Sequence, residues 1–180
     1  VHTEDLIAPD LILLLLAAPT RWPQAKNRIN GITRLEKLLF LIDQECEYDD
    51  APSEPFNFVA YHYGPYSKEV YESVELLEEA GLIAEEREFT DSALDYAEEL
   101  LYSDTATEIS YERQFILTPD GTSVAEYLSR AHPKLQQQLH KLKDKYAGLS
   151  LQDLIYDIYS RYPKYTERSV IREKIMGSSV

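Results

Sequence analysis

At 180 residues and 20.8 kDa, with 44% hydrophobic and 28% charged residues, the chain has the profile of an ordered globular protein rather than a disordered one. Its 18 Lys and Arg against 32 Asp and Glu leave a net charge of −14, so any contact with nucleic acid or anionic membrane must come from a local patch. The single cysteine, Cys46, excludes an intramolecular disulfide and suits a reducing compartment.

The first apolar run, "LILLLLAA" at Leu11 to Ala18, is shorter than the roughly 20 residues a bilayer takes, and acidic rather than basic residues precede it. It is expected as a buried helix of a cytoplasmic protein, starting at Leu6 or Pro9, with Asp10 near its positive end. Pro19 and Pro23 force a loop through "PTRWPQAKNRING". A second helix is expected from Thr33 to about Glu47. Thr33 and Glu36 stand at capping-box spacing, and Leu35, Leu38, Leu39, Ile42 and Cys46 recur every three or four residues.

"YDDAPSEP" reads as an acidic loop and "FNFVAYHY" as one short strand running into a turn at Gly64-Pro65. Ser67 is a natural N-cap for a third helix to about Ala80, with Val70, Val74 and Leu77 on its core face and Gly81 as the C′ residue. "LIAEEREF" and "YERQFILT" follow as antiparallel strands. Between them, Thr90 to Ser110 is too long for a hairpin loop, and "SALDYAEELLY" within it has helical period. "LTPDGTSVAEYL" closes the last strand and opens a helix, with Thr118 as N-cap and Pro119 at its first position. From His132 the texture turns basic, with ten Lys or Arg against five Asp or Glu over residues 130–174. Two helices are expected there, broken at Gly148 and restarted at Ser150, before "MGSSV" frays.

The order helix, helix, short strand, helix, strand, wing, strand is the order of a winged helix-turn-helix. The expected fold class is therefore mainly α (α+β). A winged-helix domain would cover residues 1–130, with an inserted helix in the wing. A C-terminal helical appendage, residues 131–180, would pair the chain as a homodimer.

Two motifs sharpen this. "LEKLLFLID" supplies Leu35, Lys37, Leu38, Leu39, Leu41 and Asp43, with Phe40 as its aromatic, and "YHYGPYSKEVY" supplies Tyr63, Gly64 and Pro65. In that order they resemble SocA-like (Panacea) antitoxin domains and related uncharacterised microbial winged-helix proteins, over residues 30–83. The resemblance implies a toxin-neutralising or regulatory role. The chain departs from the pattern in the insertion between the wing strands and in "LTPDG". The tail "LIYDIYSRYPKYTERS" is similar to a recurrent ending of the uncharacterised proteins.

In a winged helix the third helix enters the major groove, and Lys, Arg, hydroxyls and helix N-termini hold phosphates. Here Tyr66, Ser67 and Lys68 offer donors in its first turn, while Glu69, Glu72, Glu75, Glu78 and Glu79 fill the rest. A basic island compensates: Arg21, Lys26, Arg28, Arg34 and Lys37 stand against Glu36 alone and, with Lys68, Arg87 and Arg113, can grip a backbone. The same residues equally read as solvated side chains pairing with acidic neighbours. Glu69, Glu72, Glu75 and Glu79, with Tyr63, read either as an ordinary solvated face or as a docking surface for a basic protein. The tyrosines around the turn (Tyr61, Tyr63, Tyr66, Tyr71) and in the tail (Tyr156, Tyr159, Tyr162, Tyr165) suit an interface or a half-buried core.

Catalytic chemistry finds no foothold. His2, His62, His132 and His140 show no metal-ligand spacing, Cys46 sits on an apolar stripe, and no Gly-rich phosphate loop exists. His62, beside the turn, is the histidine to watch. The sequence reading is a non-enzymatic DNA-binding regulator or antitoxin-like module with no cofactor, metal or membrane. The alternative is an adaptor that binds a basic protein through the acidic helix and does not bind DNA.

Overall fold

The computed structural model describes residues 5–47, 55–89 and 111–177. It is a mixed α+β protein with small antiparallel sheets. The helices are α1 (Ala8–Ala17), α2 (Ile32–Glu45), α3 (Lys68–Glu79), α4 (Pro119–Ala131), α5 (Pro133–Tyr146), α6 (Leu151–Arg161) and α7 (Arg172–Met176), with short 3-10 turns at Pro23–Ala25 and Pro163–Thr166. Strands β1 (Arg28–Asn30), β5 (Tyr111–Leu117) and β4 (Ile83–Phe89) form an antiparallel sheet in that order, and β2 (Val59–Tyr61) pairs with β3 (Gly64–Tyr66) in a separate hairpin. The expected inserted helix at "SALDYAEELLY" lies outside the described residues.

Helix α1 is apolar all round because it is enclosed all round: Leu11 to Leu16 are buried, with α2, α3, α4, α5 and β5 packed about them. Asp10 accepts the Ile7 amide at its N-terminus. Among the described residues no helix is long and apolar enough to cross a membrane.

Helix α2 differs from the sequence expectation at its start. It begins at Ile32, and the carbonyl of Gly31 accepts the first helical bond from Leu35 N. Thr33 and Glu36 form no capping box, because Glu36 is buried and bonded elsewhere. Burial is not confined to a stripe either: every residue from Leu35 to Ile42 is buried, including Glu36 and Lys37.

The segment read as one strand is a hairpin. Tyr61 pairs with Gly64, so the chain reverses at His62 and Tyr63, and Gly64 and Pro65 lie in β3 rather than in the turn. The loop expected over 19–31 likewise contains β1, whose Ile29 is buried and pairs with Phe115. Three residues with one buried apolar side chain are too few to show period-2 alternation.

The caps of α3 and α4 follow their sequence signals. Ser67 Oγ accepts Val70 N, and Thr118 Oγ1 accepts Gly121 N. Helix α3 ends in a Schellman motif: Leu82 N bonds Leu77 O and Gly81 N bonds Glu78 O, with Gly81 at φ 70°. The two helix ends then meet, since Thr118 N bonds Leu82 O and a Cβ on Gly121 would lie 1.8 Å from that oxygen.

One apolar core runs from Leu6 to Ile175, across residue 131. Leu135, Leu139 and Leu142 of α5 and Leu154, Ile155 and Ile158 of α6 are turned into it. The junction is capped reciprocally. Lys143 Nζ of α5 donates to Leu16 O (2.7 Å) and Ala18 O (3.2 Å) at the end of α1, while Trp22 Nε1, just after α1, donates to Asp144 O (2.8 Å) at the end of α5.

Candidate functional site

The two sequence motifs touch at the root of α3. Lys37 Nζ, on a side chain 1% exposed, donates to Pro65 O (2.7 Å) and pairs with Glu36 Oε2 (2.9 Å). The other Glu36 oxygen accepts Ser67 N (3.1 Å), and Ser67 Oγ, besides capping α3, donates to Phe56 O. The charged pair of α2 thus fixes both β3 and the first residue before α3. Buried charges persist only when paired and hydrogen-bonded, as both are here.

Fixed this way, α3 turns Val70, Val74 and Leu77 inward and shows solvent a stripe of Lys68, Glu72, Glu75, Leu76 and Glu79. Lys68 is not free cationic surface, since its ammonium pairs with Glu72 at 2.6 Å and that hydrogen bond raises its pKa. Glu69 is half-buried and accepts from Asn57. Glu78, at the edge of the stripe, has its carboxyl pKa raised, first by burial and then by the charge of Glu85. Leu76 is 53% exposed, an apolar residue standing in the acidic row.

The residues expected to hold DNA do not make one surface. Contrary to the sequence expectation, Lys37 and Ser67 are both buried and structural, out of reach of a phosphate. In the main sheet Arg28 lies opposite Ile116 and Arg87 opposite Arg113. Since successive strand residues point to opposite faces, Arg28 is on one face and Arg87 and Arg113 are on the other. Arg28 donates to Gln114, and Arg113 holds Glu85 through two bonds of 2.8 and 2.9 Å, which lowers the Glu85 pKa. Arg87 approaches the same carboxylate at 3.5 Å. Arg34 reaches instead to Leu149 O (2.6 Å), between α5 and α6. Arg21 is tied to Asp144, whose carboxyl it holds below the usual range, chiefly through its backbone N–H. Lys26 is exposed.

Beside α3 the hairpin carries an aromatic row. His62 stacks on Tyr61 (4.3 Å between centroids), Tyr61 meets Tyr66 (5.1 Å), and Tyr66 meets Tyr71 of α3 (5.6 Å). Tyr63 is half-buried against the core. Cys46 has its thiol pushed up to about 12 by burial and by Glu45, which makes it a poor nucleophile. Among the described residues no group of three His, Cys, Asp or Glu is placed to hold a metal ion.

Sequence reasoning passed over Leu76 and Arg168. Leu76 was legible, as an apolar residue set off the Val70, Val74 and Leu77 face at i+4 from Glu72. Arg168, whose guanidinium lies over Tyr61, gave no local signal because the contact joins distant segments. Compared with protein-family models, curated proteins and solved structures, the chain matches none.

Proposed function

We propose that this chain is a non-enzymatic winged-helix module that binds a basic protein through the exposed stripe of α3. The winged-helix assignment rests on the order α1, β1, α2, α3, β4, β5 with β1 placed beside β5. The β2–β3 hairpin occupies the connection between α2 and α3, where a simple helix-turn-helix has a turn of about 3–4 residues.

The observation that carries the reading is the outward row of Glu72, Glu75, Leu76 and Glu79. Phosphates repel it, whereas a Lys- or Arg-bearing protein is steered toward it, with Leu76 as an apolar contact at its centre. The resemblance of residues 35–43 and 61–71 to SocA-like antitoxin domains favours an antitoxin-like role, in which the basic partner is a toxin.

The test is a pair of titrations at about 50 and about 200 mM salt, one with a mixed-sequence DNA duplex and one with a labelled Lys- and Arg-bearing peptide. Peptide binding that weakens with salt, with no duplex binding at either concentration, supports the reading. Salt-sensitive duplex binding that is lost when Arg28 and Arg34 become Glu overturns it.

A further inference from the structure

We infer that the hairpin's aromatic row extends the α3 stripe into a surface that selects arginine over lysine in the partner. This rests on the protein-binding reading above and names the chemistry it recognises.

Val59 and Tyr61 stand on the same face of β2 and are 54% and 39% exposed, an apolar face on a strand of a small hairpin. The ring contacts His62–Tyr61–Tyr66–Tyr71 carry this face continuously onto α3. Tyr71 lies one turn from Glu75, so the aromatic row and the carboxylate row adjoin along the helix. Aromatic faces next to carboxylates suit a guanidinium. It is planar and weakly hydrated, so it stacks on a ring while its N–H groups bond a carboxylate, whereas an ammonium keeps its water shell.

The molecule already contains one such contact. The Arg168 guanidinium lies 5.7 Å from the Tyr61 ring centroid and has no hydrogen-bond or ion-pair partner among the described residues. In the free chain Arg168 fills the guanidinium position, and an arginine of the partner takes its place on binding.

The experiment compares two peptides of equal length and charge, one with arginine and one with lysine at every basic position, binding to the full chain. The arginine peptide is expected to bind about fivefold more tightly. In the variant with Tyr61→Leu and Tyr66→Leu the ratio falls to about one. R168Q, at an exposed position where misfolding is not at issue, raises the ratio by clearing the ring. Equal affinity for the two peptides, an undiminished ratio in the tyrosine variant, or an unchanged ratio in R168Q overturns the inference while leaving the α3 stripe as a binding surface. Binding of neither peptide overturns the α3 reading and this inference together. Preferential binding of single-stranded oligothymidine overturns both in favour of base stacking on the same rings.

Discussion

Lys37 Nζ lies 2.7 Å from the carbonyl oxygen of Pro65, so a helix residue and a hairpin residue 28 positions apart share one buried hydrogen bond. Replacing Lys37 with Ala would strand the Glu36 carboxylate without its cation and leave the Pro65 carbonyl bare. The expected cost is about 3–5 kcal/mol in urea unfolding, the usual range for breaking a buried pair from one side. The double variant Glu36→Gln, Lys37→Met should recover part of that loss, since no lone charge remains.

Gly64 serves a close approach. It sits at φ 88°, and a Cβ there would lie 2.6 Å from Cε1 of Tyr159 on α6. Gly64→Ala therefore meets both backbone strain and a ring held by its hydroxyl contact with Ser169. A loss of about 2–3 kcal/mol is expected, read as a lowered midpoint of thermal unfolding. Tyr159→Ala in the same background should relieve the clash, leaving only the strain and the cavity.

The same region explains why the tail belongs to the core. Phe40 of α2 meets Phe58, Tyr162 and Tyr165 edge to face at 5.3, 5.2 and 4.8 Å. Phe40→Leu removes three ring contacts at once and should cost about 2 kcal/mol or more. The accompanying sign is faster proteolysis after residue 161, because Tyr162 and Tyr165 lose the ring that anchors them.

Lys143 gives the chain a pH dependence of known sign. Burial pushes its ammonium from an ordinary 10.5 down to about 7, although Leu16 and Ala18 carbonyls accept its protons. Between those two values the unfolded chain holds a proton there that the folded chain lacks, so this group makes stability rise with pH. Its contribution is complete above about pH 10.5 and is lost as pH falls through about 7. The difference in unfolding free energy between wild type and Lys143→Met should climb across that window, with a slope of at most about 1.4 kcal/mol per pH unit. A flat difference would mean that the lysine keeps its proton when folded.

Local chemistry was legible and distant chemistry was not. Ser67, Thr118 and Ser150 each cap a helix through a bond to a residue three positions on, and each could be read from its neighbours. The burial of Lys37 could not, because its partner enters from the hairpin. Gly64-Pro65 reads as a turn because that pair usually marks one, whereas here the glycine makes room for Tyr159. The basic island was a count along the chain. Strand alternation divides Arg28 from Arg87 and Arg113, and Arg21 and Arg34 are drawn to the α5–α6 junction. The acidic row of α3 was visible from the start, since helical spacing alone places Glu72, Glu75 and Glu79 together.

The most direct measurement is the affinity of the full chain for a basic peptide when Glu72, Glu75 and Glu79 are changed together to Gln. The comparison is a control with equal charge loss elsewhere: Asp120→Asn, Glu126→Gln and Glu173→Gln, all exposed. If α3 is the binding surface, the α3 variant loses about tenfold in affinity at moderate salt while the control stays within about twofold of the wild type. Equal losses in the two variants would show that only the net charge of the molecule attracts the peptide, and would contradict a docking role for α3.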